Sequence, residues 1–266
     1  MPFAVGLIGT PRLPLVIFAV SVMACSPSKE APVDMRPVPV DWGTLANKTL
    51  VFAHQSVGTD ILSGARELAD RDRVALIVVE SESTPEGPGI WHFKVGTNGD
   101  PKSKIDAFVQ AIDSGAAKGA DLAALKLCYL DFSAASNASE IAGAYIRAIE
   151  DLQARHPETN FIAITAPLTV TQAGPKAWAK RLLGRNPAQL LENERRAQFN
   201  TKLRKHFGPN RLFDLAGYES VGMRTVQDGD LTIGSLNPEL TYDGGHLNER
   251  GKLWIASQFL KFVAET

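Results

Sequence analysis

The stretch "TLVFAHQSVGTDILSGARELAD", residues 49–70, decides the fold. Its first five residues form an apolar run without polar alternation, the signature of a strand buried on both faces. Val57, Ile61, Ala65 and Leu68 then recur at helical spacing. A buried strand therefore turns into a helix across His54, Gln55 and Ser56. The same alternation repeats along the chain. Strands are expected at 74–80 ("VALIVVE"), 122–130 ("LAALKLCYL"), 161–165 ("FIAIT") and 211–215 ("RLFDL"). Asp100-Pro101 opens one helix as cap and first residue, and Asn137 with Glu140 opens another. Further helices are expected over 188–207 and 247–264. Buried strands alternating with helices imply a parallel sheet covered on both faces. The expected fold class is α/β: a three-layer α/β/α sandwich on a five-stranded, mostly parallel sheet. Three stretches read as irregular, 81–99, 166–187 and 216–245. Those after the second and fourth strands should lie over the carboxyl edge of the sheet, where such folds bind ligands.

The chain has 266 residues, 44% hydrophobic, with a formal net charge of -1. That suits one domain with a full core. A near-neutral balance leaves no electrostatic footprint for nucleic acid and no polybasic signal for anionic lipid.

Residues 1–25 read as an export signal. The apolar run Leu13–Ala24 is too short for a spanning helix of roughly 20 residues and fits a signal core. Val22-Met23-Ala24-Cys25 resembles a bacterial lipobox, which implies lipid attachment at Cys25. A plain secretory signal with an incidental cysteine is the other reading. Residues 26–44 read as a Pro-rich tether, and 45–266 as the folded domain. With Cys25 lipidated, Cys128 stands alone inside an apolar run and reads as a core residue rather than a thiol nucleophile.

Ser56 stands where a strand meets a helix N-terminus, a place that stabilises developing negative charge. It either caps the helix or serves as a nucleophile. A nucleophilic hydroxyl needs a base, and the base needs an acid that sets its tautomer. "YDGGHLNERG", residues 242–251, offers both as Asp243 and His246 on one glycine-rich turn before the last helix. That turn has a plain reading too, with Asp243 as a helix cap.

Ser56 just after the first strand and Asp243-x-x-His246 before the last helix together resemble the SGNH (GDSL-type) hydrolase superfamily. "HQSVG" stands where that family has Gly-Asp-Ser, and "DGGHLNERG" where it has Asp-x-x-His. The resemblance spans about 48 to 264. It implies a flavodoxin-like sandwich with Ser56 as nucleophile, His246 as general base and Asp243 as its orienting acid. It further implies an ester hydrolase that proceeds through an acyl-serine, needs no cofactor or metal, and acts on acetyl or short acyl groups of a glycan or similar small-molecule ester. The chain departs from the family in two places. Residues 54–55 are His-Gln, and "CYLDF" (128–132) lacks the family's oxyanion-binding Asn while keeping Asp131. The Ser56 N–H is the first expected oxyanion donor. The second is expected from "VGTNGDP" (95–101): the Asn98 side chain with the Gly99 N–H, or Gly96 in place of Gly99.

Other histidines and acids have weaker claims. His54 points to the same strand face as Ser56 and is expected in the pocket or bracing the triad, or as a strand-end residue bonded to a carbonyl. His92 is expected on a loop, lining the pocket with Trp91. His156 and His206 read as solvated, and Asp214 is a rival acid for His246. Three further readings stay open: a zinc site on His54, His92, Asp243 and His246, an acyltransferase of the same fold, and a non-catalytic glycan-binding lipoprotein. Residues 173–191 are basic and amphipathic, either a lid or a surface helix. The expected setting is a monomer, exported and lipid-anchored to the cell envelope.

Overall fold

The computed structural model describes Met1 and residues 33–171, 188–229 and 231–266. The expected signal segment, Cys25 and most of the basic amphipathic stretch lie outside the described residues.

Six parallel strands form the central sheet. They are β1 (Thr49–His54), β2 (Val78–Glu80), β3 (Gly89–Lys94), β4 (Leu122–Leu125), β5 (Asn160–Ile164) and β6 (Leu212–Phe213), in the spatial order β2-β3-β1-β4-β5-β6. The fold is the expected three-layer α/β/α sandwich, with one strand more. The extra strand, β3, lies inside 81–99, where no regular structure was expected. Its apolar run is short, and the Gly87-Pro88 before it reads as a loop. His92 is consequently a strand residue and not a loop residue.

Side chains of β1 alternate between two cores. Leu50 and Phe52 face α2 (Ser56–Asp72), while Val51 and Ala53 face α3 (Pro101–Asp113) and α4 (Ala138–Arg155). The helix α5 (Ala188–His206) joins the second layer through Phe199 and Leu203. The short α6 (Leu215–Glu219) and the last helix α7 (Glu249–Glu265) join the first. Phe259 of α7 packs 5.2 Å from Phe52, ring to ring, and a buried Phe contributes about 1.5–3 kcal/mol. Gly64 of α2 faces α7 at close range; a Cβ there would sit 2.3 Å from the Lys252 carbonyl oxygen.

Helix starts follow the expected capping chemistry. Asp100 accepts from Ser103 N–H, and Asn137 from Glu140 N–H. The last helix begins at Glu249, capped by Asn248, two residues later than expected. The Pro-rich segment departs from a free tether in its described part. From residue 33 it docks on the domain: Met35 is buried, and Val38 N–H donates to Ser257 Oγ. A four-residue helix, α1 (Trp42–Leu45), follows, and Trp42 Nε1 donates to Asp72. Its apolar residues found a partner in the first core, which outweighs the proline preference for extended chain.

β1 is central, with β3 on one side and β4 on the other. The chain runs out to β2, returns to β3, and then crosses to β4. The carboxyl end of β1 lies where this order reverses, the position at which open α/β sheets hold ligands. A β-hairpin, β7 (Val226–Asp228) with β8 (Leu231–Ile233), stands outside the sheet.

Candidate active site

Ser56 is the first residue of α2, directly after the carboxyl end of β1. Its N–H lies in the first turn and has no intrahelical carbonyl to bond, so it faces outward with the positive end of the helix. Ser56 therefore does not cap the helix; the N-cap is Gln55.

Ser56 Oγ lies 3.0 Å from His246 Nε2. His246 Nδ1 lies 2.6 Å from Asp243 Oδ2. The carboxylate accepts a hydrogen bond from Nδ1–H and so keeps the proton on Nδ1, which leaves the Nε2 lone pair for the serine hydroxyl. The other Asp243 oxygen accepts from Gly245 N–H at 2.9 Å and His246 N–H at 2.8 Å. Burial acts to raise the Asp243 pKa. The His246 ring and these amides outweigh it and hold the carboxyl down at about 2.

The turn carrying His246 is fixed from several sides. Gly244 has φ +94, which disfavours any side chain. Gly245 is required for another reason: a Cβ there would meet Tyr129 Cζ at 2.9 Å. Leu247 N–H donates to Asp60 Oδ2 at 3.1 Å. Asp60 lies one helical turn after Ser56, so α2 grips the same turn twice.

His54 follows the strand-end alternative, bonded to a carbonyl, while His92 is buried on β3 and not on a pocket-lining loop as expected. Both are buried; His54 Nε2 and His92 Nδ1 are 3.1 Å apart, and His54 Nδ1 donates to the Gln55 carbonyl at 2.8 Å. That bond fixes the tautomer, so His92 Nδ1–H donates to His54 Nε2. Burial first, then the Lys126 and His92 charges, pushes His54 down to about 3. It is a neutral brace. Its ring presses on Gly58, where a Cβ would lie 2.4 Å from it, and so seats the first turn of α2. His54, His92, Asp243 and His246 form no single cluster among the described residues.

The 95–101 loop lies beside the nucleophile. Gln55 Nε2 donates to the carbonyls of Val95 and Gly96 at 2.7 and 3.2 Å. The expectation for Gly99 is corrected, because its N–H donates to Asp131 Oδ1 at 3.0 Å and is not open to an oxyanion. Asp131 is held by a buried ion pair with Lys104, whose Nζ lies 2.7 Å from one carboxylate oxygen and 2.8 Å from the other. The same Nζ donates to Asn98 Oδ1 at 2.9 Å. With its oxygen anchored, Asn98 keeps its NH2 without a bond among the described residues.

Asp214 is not a partner of His246. It caps α6 and accepts from Arg204 and Thr165. His156 pairs with Asp113 and His206 with Glu150, both on the surface. Cys128 is a buried free thiol.

Sequence reasoning missed Tyr129, Asp60, Gln55 and Lys104. Asp60 alone carried a signal, four positions after Ser56. Tyr129 lies against His246 edge-on, at 5.6 Å between centroids. Tyr242 lies parallel to the His246 ring at 6.0 Å and is 69% exposed. A 460 Å³ cavity opens beside Asp243, lined by Tyr129, Ser133, Gln189 and Glu192 among others. A larger groove of 840 Å³ between α3 and α4 holds none of the expected site residues.

No family model matches this chain, nor does any curated protein. Solved structures do resemble it. The periplasmic domain of a lipopolysaccharide acetyltransferase from Salmonella ser. Paratyphi A is 14% identical, with a TM-score of 0.44 over 80% of this chain and 83% of that one. The lipase Lip_vut3 from a goat rumen metagenome is 10% identical, with a TM-score of 0.45 over 80% and 95%. Identity at this level says nothing of this chain's substrate, which has to be read from the site itself.

Proposed function

We propose that this chain is a serine ester hydrolase working through an acyl-serine. The observation that supports this reading is the hydrogen-bonded line from Ser56 Oγ through His246 to Asp243. Ser56 Oγ attacks the ester carbonyl carbon as His246 Nε2 takes its proton. The oxyanion forms against the Ser56 N–H and the Asn98 side chain. His246 then returns the proton to the leaving oxygen, and the acyl group stays on Ser56. Water repeats the attack with His246 as base, releasing the acid and restoring the serine.

The substrate we propose is an acetyl or short acyl ester of a glycan or a similar polyol. The exposed Tyr242 ring offers a flat face for a sugar, and Ser133, Gln189 and Glu192 bring hydroxyl-binding groups to the neighbouring cavity. Turnover of p-nitrophenyl acetate and of acetylated sugars, each with wild type and Ser56→Ala, tests this. Release of acetate that depends on Ser56 supports it; undiminished release by Ser56→Ala contradicts it. Chelator dialysis should leave the activity unchanged.

We further propose an exported, lipid-anchored location, from the Val22-Met23-Ala24-Cys25 box. Cys25→Ala should then leave the membrane fraction, and a wild-type protein that is itself soluble and starts at another residue contradicts the anchor.

A further inference from the structure

We infer that Tyr129 is a catalytic residue of this site, its phenol donating a hydrogen bond to the leaving-group oxygen as the ester C–O bond breaks. The inference rests on the reading of Ser56 as the nucleophile.

Four observations carry it. The first is position. Tyr129 Oη lies 3.4 Å from His246 Nε2, the same nitrogen that faces Ser56 Oγ at 3.0 Å. An oxygen that is to receive the Nε2 proton must come within about 3 Å of that nitrogen. A phenol this near Nε2 reaches the same oxygen.

The second is availability. Tyr129 Oη has contacts only at 3.4 and 3.5 Å, to the two His246 ring nitrogens. These are longer than the roughly 2.7–2.8 Å typical of a hydroxyl donor. The hydroxyl is therefore not committed among the described residues. Burial pushes its pKa up to about 12, so it stays a protonated donor through neutral pH.

The third is rigidity. Arg196, itself buried, donates from Nε and Nη2 to the Tyr129 carbonyl at 3.2 and 2.9 Å. Its guanidinium also lies 6.0 Å from the Tyr129 ring centre. On the other side the ring rests on Gly245, the residue before the base, at a separation that admits no Cβ. The backbone of Tyr129 is thus tied to α5, and its ring rests on the turn that holds His246.

The fourth is what surrounds it. Leu130, the next residue, is 53% exposed and has no group to donate. Of these two neighbours, Tyr129 alone offers the reacting centre a side-chain donor.

The step balances without any other reactant. His246 Nε2 gives its proton to the leaving oxygen, which departs with the bonding pair as an alcohol. Tyr129 keeps its own proton throughout and stabilises the charge that builds up before that transfer is complete. In the second half-reaction the same hydroxyl accepts or donates to the incoming water.

A leaving-group series tests this with Tyr129→Phe, which keeps the ring and its packing. An alkyl or sugar oxygen leaves as a strong base and needs the donor; a p-nitrophenolate does not. Tyr129→Phe should lower kcat/KM by about 10- to 100-fold on an alkyl or sugar acetate. It should stay within about threefold of wild type on p-nitrophenyl acetate. Ser56 should take a fluorophosphonate adduct in both proteins. Equal losses on the two ester classes would assign Tyr129 to the oxyanion or to packing and overturn the inference. No loss on either would overturn it as well. A wild type that forms no adduct at Ser56 would remove the underlying reading, and this inference with it.

Discussion

Ser56 Oγ and His246 Nε2 lie 3.0 Å apart although 190 positions separate them in the chain. The two arrive by different routes, one at the end of the central strand and one on the turn before the last helix. The contact persists because α2 and α7, which flank those positions, pack on each other through Gly64.

Residues that act as one unit lose activity together and not multiplicatively. Ser56→Ala and His246→Ala should each lower kcat by roughly 10³-fold or more, and the double variant should lose little beyond either. Steady-state kinetics on one ester checks this. Fully multiplicative losses would mean that the two side chains act independently.

Asn98 has its carbonyl oxygen pinned by Lys104, which turns the amide into an oriented donor. Asn98→Ala should cost about 2–4 kcal/mol in transition-state stabilisation, mostly through kcat, as for other single oxyanion donors. The melting temperature should fall only slightly, because the residue is exposed and the Lys104 ammonium keeps both Asp131 oxygens when Asn98 is lost. A wild-type kcat in Asn98→Ala would return attention to the Gly96 amide.

Asp60 holds the turn of His246 from one helical turn below Ser56. Asp60→Ala leaves the buried Leu247 N–H without its acceptor, at a stability cost of about 1–3 kcal/mol. kcat should fall with little change in KM, since the base loses its alignment rather than the substrate its contacts. Asp60→Asn keeps an acceptor oxygen and should recover most of both. Chemical denaturation and kinetics on the pair would show this, and an Asn variant as impaired as Ala would contradict it.

Glu219 is buried in α6, with one carboxylate oxygen on Leu168 N–H. Burial pushes its pKa up to about 8, against the opposing Leu168 amide and the Lys126 and Arg196 charges. The folded state therefore binds the proton more tightly than the unfolded chain. The resulting stability is fully present below the unfolded value of about 4.5 and is lost as pH rises through about 8. Thermal melts of wild type should decline across that window, and Glu219→Gln should flatten the decline. An unchanged slope would place the titrating group elsewhere.

The sheet was readable where strands run continuously apolar, as at Leu50–Ala53 and Phe161–Ile164. The helices were readable where caps announce them, as at Asp100 and Asn137. β3 was not, because "GIWHFK" is only six residues long and follows Gly87-Pro88, and its burial comes from neighbouring strands rather than from its own pattern. Ser56, Asp243 and His246 stood out because each sits at a junction between elements. The supporting residues did not. Gly99 loses its open amide to Asp131, 32 positions away, and Tyr129 gains its place from Gly245 across the site. Such pairings depend on how loops meet over the sheet edge, which no local pattern encodes. The same holds for His92, which looked like a pocket residue and instead pairs with His54 beneath α2.

The central claim is that Ser56 is an activated nucleophile. Mass spectrometry of the protein after exposure to a fluorophosphonate measures this without knowledge of the substrate. The account predicts one adduct, on the peptide containing Ser56, abolished in Ser56→Ala and strongly slowed in His246→Ala. An unmodified Ser56, or an adduct that forms as fast without His246, would contradict it.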